Sequence, residues 1–146
     1  MATNRRFMPV PPEAVWDALA DPAAYEYWVV GSKAIRDAEP GFPAPGTRFH
    51  HTIGFGPLTV RDHTEVLAAE PPREIRLRAN SRPLGSATVT VRLTPAGGGT
   101  TVEIVEHPAG VFAPLALNPL VHAATKLRNA RSLMRLEDLA RRRSAA

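Results

Sequence analysis

The chain has 146 residues, with 18 Lys and Arg against 14 Asp and Glu for a net charge of +4, and it contains no cysteine. That length suits one domain with a real core, and the missing cysteines exclude disulfides and thiolate chemistry. MATNRRF runs into Pro9, Pro11 and Pro12 rather than an apolar run, and no stretch approaches the roughly 20 apolar residues of a bilayer crossing, so the expectation is a cytoplasmic chain without signal peptide or membrane span.

The elements follow in order from periodicity. Residues 4 to 10, NRRFMPV, read as an edge strand that stops at the prolines. PPEAVWDALAD opens with prolines suited to a helical first turn and lines Val15, Ala18 and Leu19 along one side. Asp21 caps a second short helix that carries Tyr25 toward Trp28. Residues 29 to 39 read as a strand, and GFPAPG after them as a loop. Five strands follow, around 46 to 54, 57 to 69, 73 to 81, 85 to 94 and 100 to 107. GFGP, EPP, the Arg82-Pro83 break and the Gly97-Gly98-Gly99 hairpin turn separate them. Ala87, Val89, Val91 and Leu93 alternate with Thr88, Thr90 and Arg92, so one face is buried and the other wet. HPAGVFAPLALNP then approaches a last helix, with Asn118 as N-cap and Pro119 at the first helical position. That helix runs without a breaker to about Arg141, a length of about 34 Å.

The charge surplus is local. From Val121 onward seven cations stand against two carboxylates, and before it eleven stand against twelve. A basic tail ending in RRRSAA suits a helix C-terminus. Without interleaved aromatics or a known motif, no nucleic-acid partner is expected.

A long helix after a single antiparallel sheet lies across the apolar face of that sheet. The fold class is therefore α+β: a helix-grip arrangement, in which a curved antiparallel sheet wraps around a long C-terminal helix and two short helices follow the first strand. PPEAVWDALADP with YEYWVVG, AEPPREIRLRA, GGGTTVEIVEH and LRNARSLMRLEDLA are similar to the polyketide cyclase/dehydrase-type members of the START/Bet v 1-like (SRPBCC) superfamily. The resemblance covers nearly the whole chain. It implies a single domain, 1–146, with a cavity between sheet and helix for a hydrophobic small molecule. No cofactor is expected, and the chain is read as a monomer or homodimer.

FHHTIGFG, residues 49 to 56, places two of the five histidines side by side. Strand neighbours point to opposite faces, so only one of His50 and His51 looks inward. A turn on Phe55-Gly56 pairs 53 with 58, 51 with 60 and 49 with 62. One face then reads Phe49, His51, Ile53, Leu58, Val60 and Asp62, and the other Arg48, His50, Thr52, Thr59, Arg61 and His63. The first is mostly apolar and the second wholly polar, which puts His51 and Asp62 on the core side as diagonal neighbours. Two roles stand open for His51: a core histidine satisfied by Asp62 or a backbone carbonyl, or an acid/base group oriented by a carboxylate at the cavity. Splayed histidines without thiolates or a HExxH-like spacing make no metal site.

The same parity turns Val102, Ile104 and Glu106 inward and His107 outward. Arg131 is the expected partner of Glu106, one turn beyond Leu127, unless it snorkels to solvent. The inner stripe of the last helix is read as Leu120, Ala123, Ala124, Leu127, Ala130 and Met134, whose small members leave space beneath the sheet. The alternative is that Phe49, Leu77, Val91 and other inward side chains fill it. The candidate ligand-binding residues are Phe49, Val60, Leu77, Val91 and Ile104 on the sheet and Leu120, Ala124 and Leu127 on the helix. By the resemblance, Tyr25 and Trp28 join them at the cavity entrance; both are read equally as core anchors. The candidate catalytic residues are His51, Asp62, Glu106 and Arg131. Three functions follow. The first is binding of a lipid-, quinone- or polyketide-like molecule. The second is an aromatase/cyclase-like enzyme acting by cyclisation or dehydration. The third is an interaction module using the basic helix end.

Overall fold

Among the described residues seven strands form one antiparallel sheet: β1 (Ala2–Met8), β2 (Ser32–Ala38), β3 (Arg48–Phe55), β4 (Leu58–Glu70), β5 (Glu74–Ser81), β6 (Gly85–Ala96) and β7 (Gly99–Ala109). Their spatial order is β1-β7-β6-β5-β4-β3-β2, so the first strand is an edge strand, as its prolines imply. Between β1 and β2 lie α1 (Pro12–Leu19), a 3-10 turn at Pro22–Ala24 and α2 (Tyr25–Trp28); α3 (Pro119–Ala145) ends the chain. The computed structural model describes residues 2–30, 32–55, 57–81, 85–109 and 118–145. Gly56, the Arg82-Pro83 break and the expected loop from 110 to 117 lie outside the described residues.

Local chemistry accounts for the boundaries. The Asp21 carboxylate accepts the Ala23 N–H at 3.1 Å and starts the 3-10 turn. Asn118 accepts the N–H groups of Leu120 and Val121 at 2.9 and 3.3 Å, satisfying two of the free donors of α3, with Pro119 behind it. Between β6 and β7, Gly98 takes φ +80°, which L side chains rarely adopt. A Cβ on Gly99 would collide with the Met8 carbonyl, so glycine there lets β7 close against the end of β1.

The core joins the inner sheet face to α1 and the C-terminal half of α3. Met8, Val15, Leu19, Val66, Ile75, Val91, Val102, Leu133 and Leu136 are fully buried in it. On α3 the buried line is Asn129, Ser132, Leu133, Leu136, Glu137 and Ala140, a 3.6-residue stripe. This corrects the expected inner stripe. Leu120 and Leu127 are 81% and 56% exposed, Met134 is exposed, and Ala123, Ala124 and Arg131 are exposed with them. Arg131 stands two residues from Leu133, about 200° around the helix, and so points away from the core. The rotation is set by contacts from distant parts of the chain. Asn4 donates to the Lys126 carbonyl at 2.9 Å, the Val30 N–H donates to the Ser132 hydroxyl at 3.0 Å, and Arg143 pairs with Asp21 at 2.7 Å. A half-turn rotation of α3 would break these and press Arg131 and Arg135 against apolar neighbours.

Glu137 sits on that buried line between two guanidiniums, Arg6 and Arg141, each at 2.8 Å. Burial alone would raise its carboxyl; hydrogen bonds from Arg141 and Arg6 outweigh that and hold it below its ordinary value. A carboxylate with a lowered folded pKa stabilises the fold above the unfolded value near ~4.3, and the contribution is lost as pH falls through the folded one. Thermal melts of Glu137→Gln should therefore converge with wild type as pH drops from about 5 to 3, the wild type being the more stable at neutral pH. A constant gap across that range would show that the ion pairs add nothing.

Candidate functional site

The hairpin of β3 and β4 closes with Phe55 opposite Leu58, so His51 pairs directly with Asp62 and His50 with His63. The expected diagonal register is therefore shifted by two residues. Because the side-chain period is two, the slip leaves every face assignment unchanged. His51 and Asp62 are buried on the inner face, while His50 and His63 meet on the outer face with ring centroids 6.1 Å apart.

His51 has both ring nitrogens engaged. Nε2 lies 3.1 Å from the Asn80 carbonyl, which can only accept, so Nε2 carries the proton and donates. Nδ1 lies 3.2 Å from the Thr64 hydroxyl, which can serve as donor or acceptor. With both ring nitrogens held by the protein, this is the pattern of a satisfied histidine that forms part of a wall. Asp62 accepts from the backbone N–H of His63 at 2.9 Å and lies 3.3 Å from the His63 ring.

Glu106 occupies the opposite side of the inner face, on β7 across from Val89. Its partners come from α3, but from Arg128 at 2.5 Å and Asn129 at 3.5 Å, in place of the expected Arg131. The carboxylate is thus held as a double acceptor. Sequence reading missed Arg128 and Asn129 because it placed the helix by its leucines. The signal it passed over is the spacing of Asn129, Ser132, Leu133, Leu136 and Ala140, which follows the 3.6-residue period just as well.

Between these groups the floor is made of small side chains. One rung across the sheet reads Phe49, Thr64, Ala79, Ala87 and Pro108, and the next reads Val66, Leu77, Val89 and Glu106. Val66 and Leu77 are buried, whereas Ala79, Ala87, Val89 and, beyond Asp62, Val60 are only half-buried. Val91 and Ile104 lie one rung further on, buried under the helices. The inner face therefore divides into a packed half and a half that α1 and the end of α3 do not cover.

Tyr25 and Trp28 are both 3% exposed and form an aromatic cluster with Phe42 and Phe49, Tyr25 lying 4.9 Å from both Trp28 and Phe49. The Tyr25 hydroxyl donates to the Leu19 carbonyl at 2.7 Å. Burial, and then the Asp21 charge, push its phenol far above the ordinary range, so it remains a neutral donor. Trp28 keeps its indole N–H buried without an acceptor among the described residues. Leu120, Ala124, Leu127 and Arg131 are not brought to this face. Among the described residues no group of three or more metal-ligating side chains assembles.

A family model described as polyketide cyclase / dehydrase and lipid transport matches residues 2–141. The chain belongs to that family. Among solved structures, MLL2253 from Mesorhizobium loti shares 24% identity over 97% of this chain and 96% of its own, with a TM-score of 0.67. TTHA0849 from Thermus thermophilus shares 20% over 95% of each chain, with a TM-score of 0.74. Ara h 8.0201 shares 17% over 94% of this chain and 95% of its own, with a TM-score of 0.73. These likenesses establish the Bet v 1-like helix-grip fold for this family member. No curated protein sequence matches the chain. No described helix is long and apolar enough to cross a membrane. Membership in the family supports a role in binding a hydrophobic ligand.

Proposed function

We propose that the chain binds a hydrophobic small molecule, of lipid, quinone or polyketide type, against the half-covered inner face of the sheet. The observation that carries this reading is the alanine floor at Ala79 and Ala87, half-buried between the buried polar walls of His51 and Glu106. Apolar floors with a few fixed polar groups suit ligands that are mostly hydrocarbon with one or two oriented polar atoms. His51 and Glu106 are engaged by the protein, which favours holding a ligand over moving its protons. The second reading is a cyclase or dehydratase; it draws on three titratable groups, His51, Asp62 and Glu106, sharing one face.

Native mass spectrometry of the protein re-isolated from a lipid and polyketide extract tests both. Wild type should return with a compound bound unchanged, and Ala87→Trp, which fills the floor, should return empty with an unaltered circular dichroism spectrum. Retention by Ala87→Trp would overturn the assigned location. A recovered product one water lighter than the compound supplied would establish the enzyme in place of the binder.

A further inference from the structure

We propose that the outward face of the sheet carries a second site, for a phosphate-type oxyanion, centred on Arg76. A groove of about 610 Å³ lies there, lined by residues of β1, β5, β6 and β7 whose side chains point away from the core. It is separated from the inner face by the thickness of the sheet, and it stands whether or not the inner face binds a ligand.

The groove is built from successive rungs of the sheet. One rung reads Glu74, Arg92, Glu103 and Arg5 from β5 to β1. Its charges balance: Arg92 bonds Glu74 at 2.6 Å and approaches Glu103 at 3.6 Å, and Arg5 meets Glu103 at 2.6 Å. The next rung reads Arg76, Thr90, Val105 and Thr3, with one cation, two hydroxyls and no carboxylate. The third runs Glu65, Arg78, Thr88 and His107 from β4 to β7, and of these Thr88 and His107 line the groove. Among the described residues neither Arg76 nor Arg78 makes an ion pair, and the Thr88 and Thr90 hydroxyls have no hydrogen-bond partner. Thr90 as a residue is 7% exposed, so it forms the floor of the groove.

This arrangement matches the chemistry of an oxyanion. A guanidinium offers a planar fork of donors suited to two oxygens of one phosphate. Strand spacing of about 4.8 Å sets the Thr90 hydroxyl beside that fork, and Thr88 follows two residues along β6, near enough for a third oxygen. The balanced rung forms a rigid wall that adds no net charge, and Arg78 faces Glu65 across β4, which leaves Arg76, opposite Ala68, as the cation of the groove with no carboxylate on its rung. Regular strands hold the backbone and the short threonine side chains, so ordering on binding falls mainly on the exposed Arg76 side chain.

Inorganic phosphate is the first probe, titrated at constant ionic strength while backbone amide shifts are followed. Saturable shifts confined to residues near 76, 88, 90 and 105 are expected. Arg76→Gln should weaken the midpoint at least tenfold, and Arg61→Gln, an exposed outer-face arginine away from the groove, should leave it within twofold. Shifts that grow linearly, or equal losses in the two variants, would overturn the site in favour of diffuse charge attraction. The source of the oxyanion is separated by cosedimentation with phosphatidylglycerol vesicles. Capture that depends on Arg76 and is released by free phosphate marks a lipid headgroup, whereas saturable phosphate binding without capture marks a soluble phosphate compound.

Discussion

Leu136→Ala is expected to cost about 2–5 kcal/mol of unfolding free energy, while Leu127→Ala on the same helix changes it by less than about 0.5 kcal/mol. Leu136 is fully buried on the line where α3 meets the core, and truncating it removes both its burial and the packing of its neighbours. Leu127 is 56% exposed and faces the opposite way. Urea denaturation of the two variants at one pH measures the difference. Equal costs, or a larger one at Leu127, would mean that α3 turns its seven-residue leucine line inward. The same result would return Leu120, Ala124 and Leu127 to the ligand face.

A double-mutant cycle across Glu106 and Arg128 should return a coupling energy of about 1–2 kcal/mol. Arg128 is the residue that ties the first half of α3 to β7, and the Glu106 carboxylate accepts from it and from Asn129 together. Part of the Arg128 side chain remains in water, 38% exposed, so the coupling stays below that of a fully buried pair. Glu106→Gln and Arg128→Met, singly and together, give the cycle from equilibrium unfolding. A coupling under about 0.3 kcal/mol would show that the pair is absent in solution. Glu106→Gln also bears on chemistry. Loss of a dehydrated product with ligand affinity unchanged would give the carboxylate a catalytic role, and loss of affinity alone would make it a binding wall.

The faces of the strands were legible from residue order alone. His51, Asp62 and Glu106 sit inward as parity demands, and even the two-residue error in the β3–β4 register left them there. Caps and turns were legible for a similar reason: Asp21, Asn118 with Pro119, and the glycines before β7 act on atoms within a few residues of themselves. The bonds that the inward residues make were less so. His51 found Thr64 and the Asn80 carbonyl, two groups that a hairpin considered alone does not bring into view.

The rotation of α3 was decided by tertiary structure. Its sequence holds two apolar lines, Leu120-Leu127-Met134 and Leu133-Leu136-Ala140, and helical periodicity accepts either as the buried one. The choice rests on Asn4, Arg6, Asp21 and Val30, more than a hundred residues away along the chain, which meet Lys126, Glu137, Arg143 and Ser132 only once the sheet has formed. It carried the candidate site with it, replacing Arg131 by Arg128 and the leucines by Asn129 and Ser132. A strand's two faces follow from covalent alternation within the strand itself, whereas a helix with two usable stripes takes its orientation from whatever lies across from it.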